Sequence, residues 1–166
     1  MAELQGYNSR INMIPPEIVE FFHKQRFTVI STIDKKGYPH NSCKGVVQID
    51  ESGKAYLLDL YMARTYENLK ANSHISITAV DEHKFMGYCL KGKAKIAEKN
   101  KVSKSILKLW EDKITSRISH RLLKNIKGEK GHQTHPEALL PIPTYLIVVD
   151  IDEIVDLIPG HIKQKA

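Results

Sequence analysis

Two turns of the same chemistry divide the first third of the chain. Asp34-Lys35-Lys36-Gly37 and Asp50-Glu51-Ser52-Gly53 each open with an aspartate and close with a glycine. Aspartate starts a turn well because its carboxylate bonds the backbone ahead of it. Glycine takes the left-handed position that ends the turn. Phe27–Ile33, rich in β-branched residues, precedes the first turn, a second strand spans roughly Tyr38–Ile49, and Ala55–Leu60 follows the second turn. Three strands joined in this way predict an antiparallel meander. Connections this short exclude a doubly wound parallel sheet, which needs helical crossovers throughout.

The remaining segments extend the same pattern. Pro15 and Pro16 suit a helix start, and Ile14, Ile18, Phe21 and Phe22 share one helical face, so residues 15–24 predict a helix. Residues 64–71 predict a short helix ending near Asn72, and Ile75, Ile77 and Ala79 alternate as a fourth strand. In residues 85–96, Met86, Tyr88, Leu90, Gly92, Ala94 and Ile96 face one way, while Cys89, Lys91, Lys93 and Lys95 face the other. That is a long strand with one wet face. Val102, Ile106, Leu109, Trp110, Ile114, Ile118, Leu122 and Ile126 recur every three to four residues and predict a helix over about 100–126, with Trp110 in its core-facing stripe. Residues 128–143 read as a loop and 144–154 as a sixth strand. The expected architecture is mainly β: a single domain whose six antiparallel strands form a closed or nearly closed barrel with peripheral helices, its core at about 27–98 and 144–156.

A chain of 166 residues with 42% apolar and 27% charged residues buries a core without disulfide or metal staples. No apolar run approaches the roughly 20 residues a membrane helix needs. Met1–Arg10 is polar with no hydrophobic stretch of a signal peptide, and Cys43 and Cys89 form no C-x-x-C pair. A cytoplasmic protein with free thiols is expected, without membrane attachment. The net charge of +6 is local: residues 99–130 carry ten lysines or arginines against three acids, so the rest of the chain is close to neutral. Such a face is ordinarily a solvated one. Nucleic acid is not the expected partner, although an anion would be drawn to this segment.

Two places concentrate polar chemistry: His40-Asn41-Ser42-Cys43-Lys44-Gly45, and Asp59-Leu60-Tyr61-Met62-Ala63-Arg64-Thr65. The second leads from a strand into a helix N-terminus, where free backbone N–H groups and the helix dipole attract an anion. Arg64 adds a fork of donors suited to phosphate and Thr65 a hydroxyl. A solvated first-turn arginine beside a helix cap has the same spacing, and spacing alone does not choose. Cys43 reads as a small packed residue rather than a nucleophile. His132-x-x-His135 is half a metal site with no cysteine nearby, so no metal is expected.

The ordered set Ser31-Thr32-Ile33-Asp34-Lys35-Lys36-Gly37-Tyr38-Pro39, Gly53-Lys54-Ala55-Tyr56-Leu57, Ala63-Arg64-Thr65-Tyr66-Glu67-Asn68-Leu69-Lys70-Ala71-Asn72 and Lys91-Gly92-Lys93-Ala94 resembles the pyridoxamine 5′-phosphate oxidase-like, FMN-binding split barrels. The resemblance covers residues 15–97. It implies a split β-barrel, a homodimer with FMN at the subunit interface, and an oxidoreductase activity in which the flavin does the redox chemistry. Ser42, Cys43 and Lys44 would then run beside the isoalloxazine, Leu58 and Asp59 would contact it, and Ala63, Arg64 and Thr65 would face the phosphate. Ala63 and Thr65 stand where the family usually has serine and lysine, so the cradle is weaker by a hydroxyl and a charge, and Lys44 is placed to restore the charge. The C-terminal arginine and histidine that clasp the substrate in true vitamin B6 oxidases have no counterpart in 140–166, so that substrate is not expected. Other implied readings are a flavin carrier without a substrate, a cofactor-free or haem-binding split barrel, and a deazaflavin protein.

Overall fold

The computed structural model describes residues 13–98, 102–129, 140–141 and 143–160. The elements are α1 (Pro16–Lys24), β1 (Thr28–Ile33), β2 (Pro39–Lys44), β3 (Val46–Asp50), β4 (Lys54–Asp59), α2 (Arg64–Ala71), β5 (His74–Asp81), β6 (Met86–Glu98), α3 (Lys104–Ile126) and β7 (Tyr145–Asp156). All ladders are antiparallel, in one seven-stranded sheet of order β2-β1-β5-β6-β7-β4-β3.

That order puts two consecutive strands at opposite ends of the sheet. β2 pairs with β1, β3 pairs with β4, and only Gly45 separates them. The sheet therefore curls until its two edges meet along one bent stretch of chain, which makes it a split barrel. The single strand expected over 38–49 is this bent stretch, so the strand count is seven rather than six. The expected meander is likewise two separate hairpins, β1–β2 and β3–β4. Both hairpin turns form as their residues predict. Asp34 Oδ1 accepts from Lys36 N and Tyr38 N at 2.8 and 2.9 Å, Asp50 Oδ1 accepts from Lys54 N at 3.1 Å, and Gly37 and Gly53 sit at φ 85° and 84°.

α1 stops one end of the curl. Ile14, Ile18, Phe21 and Phe22 are buried against Ile30, Leu57, Ile77, Leu90, Ile147 and Val149 from the strands, and Phe21 meets Tyr88 edge-on at 5.1 Å. α2 is tied to β1 by Asn68 Nδ2 donating to Thr32 Oγ1 at 2.9 Å, both residues being buried. α3 lies on the outside of β3, β4, β6 and β7. Ile106 packs there with Val47, Leu58 and Leu146, and Trp110 lies against the same cluster. The apolar stripe of α3 is covered only in part: Leu122 and Ile126 are 47% and 72% exposed. No helix among the described residues is long and apolar enough to cross a membrane.

His23, on the last turn of α1, accepts from Ile49 N at 3.3 Å. Burial, and next the nearby Lys113 ammonium, lower its pKa from the ordinary 6.5. A base whose folded pKa lies below its unfolded value favours the folded state above 6.5 and loses that contribution as pH falls through and below 6.5. Melting temperatures between pH 7.5 and 5 are therefore expected to fall more steeply for the native chain than for His23→Gln. Parallel curves would rule the contribution out.

Candidate active site

Where the curl closes, β2, β3 and β4 and the middle of α3 enclose a cavity of about 240 Å³. Its strand side carries Cys43, Lys44, Val46, Leu58 and Asp59; Phe27 and Tyr61 flank it; Trp110, Lys113, Ile114 and Arg117 line it from α3. The site lies where the chain passes, at Gly45, from one sheet edge to the other. A side chain at Gly45 would meet the Arg117 guanidinium, since a Cβ there would lie 3.1 Å from Nη2.

Within the strand wall, Lys44 Nζ donates to Asp59 Oδ2 at 2.6 Å. The Tyr145 hydroxyl donates to the same Oδ2, and Leu60 N donates to Oδ1 at 2.8 Å. Asp59 is 5% exposed and Tyr145 1%, so this is a buried polar cluster with its charges paired. Burial, and then the bond to Asp59, push the Tyr145 phenol far above its ordinary pKa, so the tyrosine remains a donor. Tyr145 also meets Tyr66 of α2 edge-on at 5.0 Å.

The helix side is cationic. Lys113 Nζ donates to Val46 O at 2.9 Å, and burial followed by the neighbouring Arg117 charge lowers its pKa. Arg117 Nη2 donates to Arg26 O, and its guanidinium stacks 5.1 Å over the Phe27 ring. In both cases a backbone carbonyl offsets part of the cost of leaving water.

The residues expected to hold a cofactor fall into two adjoining groups. Cys43, Lys44, Leu58 and Asp59 line the cavity. Ser42, Ala63, Arg64 and Thr65 do not line it; they lie around the start of α2. Thr65 is buried and its hydroxyl is 3.2 Å from Ser42 Oγ, which joins the two groups because Ser42 and Cys43 are consecutive. Ala63 and Arg64 are exposed. Ala63, at the N-cap of α2, provides no side-chain bond to the first amides of the helix. Both cysteines are free thiols, and their burial is the reverse of that expected: Cys43 is exposed rather than packed, and Cys89 is buried rather than on a wet face. His132 and His135 lie outside the described residues, and among those described no cluster of three ligands suits a metal ion.

Phe27, Lys113, Arg117 and Tyr145 are not singled out as site residues in the sequence, Tyr61 enters only as part of the segment 59–65, and Trp110, read as a core-facing residue, lines the cavity. Trp110, Lys113, Ile114 and Arg117 are spaced three, four and seven apart, one face of a helix, and that spacing is a signal that finds them. Tyr145 has no local signal, because its partner Asp59 is 86 residues away.

A seven-stranded sheet curled onto itself, stopped by a helix at one end and opening on a cleft at its seam, defines a split-barrel protein. The sequence matches the family model described as pyridoxamine 5′-phosphate oxidase over residues 14–140. The chain belongs to the pyridoxamine 5′-phosphate oxidase family. Solved structures share the fold. HupZ of Group A Streptococcus is 19% identical with a TM-score of 0.60, covering 89% of this chain and 97% of that one. A Clostridium acetobutylicum protein related to general stress protein 26 is 19% identical with a TM-score of 0.58, covering 84% of both chains. An F420 reductase is 14% identical with a TM-score of 0.53, covering 86% and 98%. At such identities the likeness is one of fold. No curated protein matches the chain in sequence.

Proposed function

We propose that this chain binds FMN and acts as a flavin-dependent oxidoreductase, working as a homodimer with the flavin at the subunit interface. The observation that carries this reading is the aromatic-lined cavity at the barrel seam, joined through Ser42 and Thr65 to the uncapped N-terminus of α2. The residues suit the group. Apolar walls and the aromatic rings of Phe27, Tyr61 and Trp110 favour a flat ring system, and Lys44, Lys113 and Arg117 supply donors. The first amides of α2 and the exposed Arg64 suit a phosphate. FMN, when bound, supplies the hydride or electron chemistry. This chain's own residues orient it, carry charge to its edge and keep water out under α3. Exposed Phe27, Tyr61 and Met62, at 58%, 58% and 57%, support a second copy covering the open side.

The test is the visible spectrum of the purified protein and the mass of what heat releases from it. A yellow protein releasing FMN supports the reading; a colourless one that takes up no added FMN defeats it. Arg64→Ala is expected to weaken FMN retention by about 1.5–3 kcal/mol, the worth of a hydrogen bond to a charged group. Unchanged affinity in a fluorescence titration would reject Arg64 as the phosphate ligand. Turnover with NADH or NADPH and an electron acceptor separates an enzyme from a flavin carrier. A deazaflavin is the second reading, since an F420 reductase has the same fold, and the mass of the released chromophore decides between them.

A further inference from the structure

Lys44 and Asp59 form an ion pair that borders the cavity while being nearly closed to solvent. Their side chains are 14% and 6% exposed. Among the described residues the lysine has one carboxylate partner, and that carboxylate is held in place by two further donors, the Tyr145 hydroxyl and the Leu60 amide. Asp59 is the only acid among the described residues that line the cavity, whereas Lys113 and Arg117 across from it are tied to backbone carbonyls. At the strand wall a positive charge is therefore already matched by a buried carboxylate.

We infer that Asp59 is a specificity-determining residue, an in-built counter-ion that occupies Lys44 and disfavours an anionic ligand group at the strand wall. An incoming phosphate or carboxylate there has to displace a carboxylate fixed by three donors. If it does not, it is repelled by that carboxylate at short range, in a site where charge is poorly screened. A neutral polar group meets no such opposition. A ligand is thereby selected for where its charge lies, and Lys44 is withheld as an anion hook. The inference rests on the cavity being the ligand site proposed above, and not on which chromophore it holds.

The test compares the native chain, Asp59→Asn and the double variant Lys44→Met/Asp59→Asn. Inorganic phosphate binding is read from thermal shifts against chloride at equal ionic strength, and FMN and riboflavin are titrated in parallel by flavin fluorescence. Removing the competing charge is expected to tighten inorganic phosphate binding in Asp59→Asn by roughly tenfold or more. FMN and riboflavin, which differ by a phosphate placed at the start of α2, should change by less than about twofold relative to one another, and the double variant should lose the phosphate gain. Equal phosphate affinities in the native chain and Asp59→Asn, or a gain that survives in the double variant, overturn the inference. If no flavin binds any of the three proteins, the cofactor reading fails instead, and the phosphate comparison still decides the role of Asp59. Asparagine keeps an acceptor for Lys44 and Tyr145; should it not fold, Asp59→Ser carries the same comparison.

Discussion

Replacing Gly92 with alanine is expected to lower stability by about 3 kcal/mol or more, the range of severe overpacking. For a chain of this size that is a fall of roughly 6–12 °C in melting temperature. β6 and β7 change register between Lys91 and Gly92, and at that step the two backbones come very close. A Cβ on residue 92 would lie 2.1 Å from Asp150 O, 2.9 Å from Asp150 C and 3.0 Å from Ile151 Cα. These are main-chain atoms of the neighbouring strand, so no rotamer change relieves the contact. Either the bulge opens or the ladder moves. Lys93→Ala, one residue on and exposed, is the control and should stay within about 0.5 kcal/mol of the native chain. A Gly92→Ala protein melting within 2 °C of the control, a margin of roughly 1 kcal/mol, would mean that the close approach is not a feature of the folded chain.

Asp59→Ala is the second change with a large expected effect, about 3–5 kcal/mol, the cost of breaking a buried pair from one side. It leaves the Lys44 ammonium without its counter-ion and deprives Tyr145 Oη and Leu60 N of their acceptor. Asp59→Asn also removes the counter-ion but retains an acceptor at the same place, and should cost about 1 kcal/mol less than alanine, in the range of a single hydrogen bond. Urea melts of the two variants check the difference. Equal destabilisation by alanine and asparagine would show that the charge, lost in both, is what is felt, and that the acceptor kept by asparagine contributes little.

The same residues mark how far the sequence could be read. The Asp34 and Asp50 turns were legible because every bond in them joins residues two to four apart, so the residue types settle the geometry locally. The buried face of α1 was legible for the same reason, its Ile14–Ile18–Phe21–Phe22 spacing being set by the helix itself. The α3 stripe was legible as a helix but misleading as a burial pattern. Periodicity predicts which side chains share a face, not how much of that face finds a partner, and Leu122 and Ile126 remain exposed. The break at Gly45 was not legible. Residues 39–50 alternate like one strand, and only the meeting of the two sheet edges makes a bend there necessary.

The cofactor-site expectations divide in the same way. Cys43, Lys44, Leu58 and Asp59 were singled out through a family resemblance, and the structure gathers them at one cavity. That Lys44 is already paired could not be seen, since Asp59 is 15 residues distant and Tyr145 comes from the last strand. By itself the sequence determined the local elements, the antiparallel hairpins and the family, because turn chemistry, helical spacing and motif order act over a few residues. The tertiary structure alone decided that the sheet closes through Gly45, that α3 roofs the resulting cleft, and that a lysine suited to an anion is paired instead with a buried carboxylate. Each of these depends on which distant surfaces meet when the sheet curls, and that is decided by packing across the whole barrel.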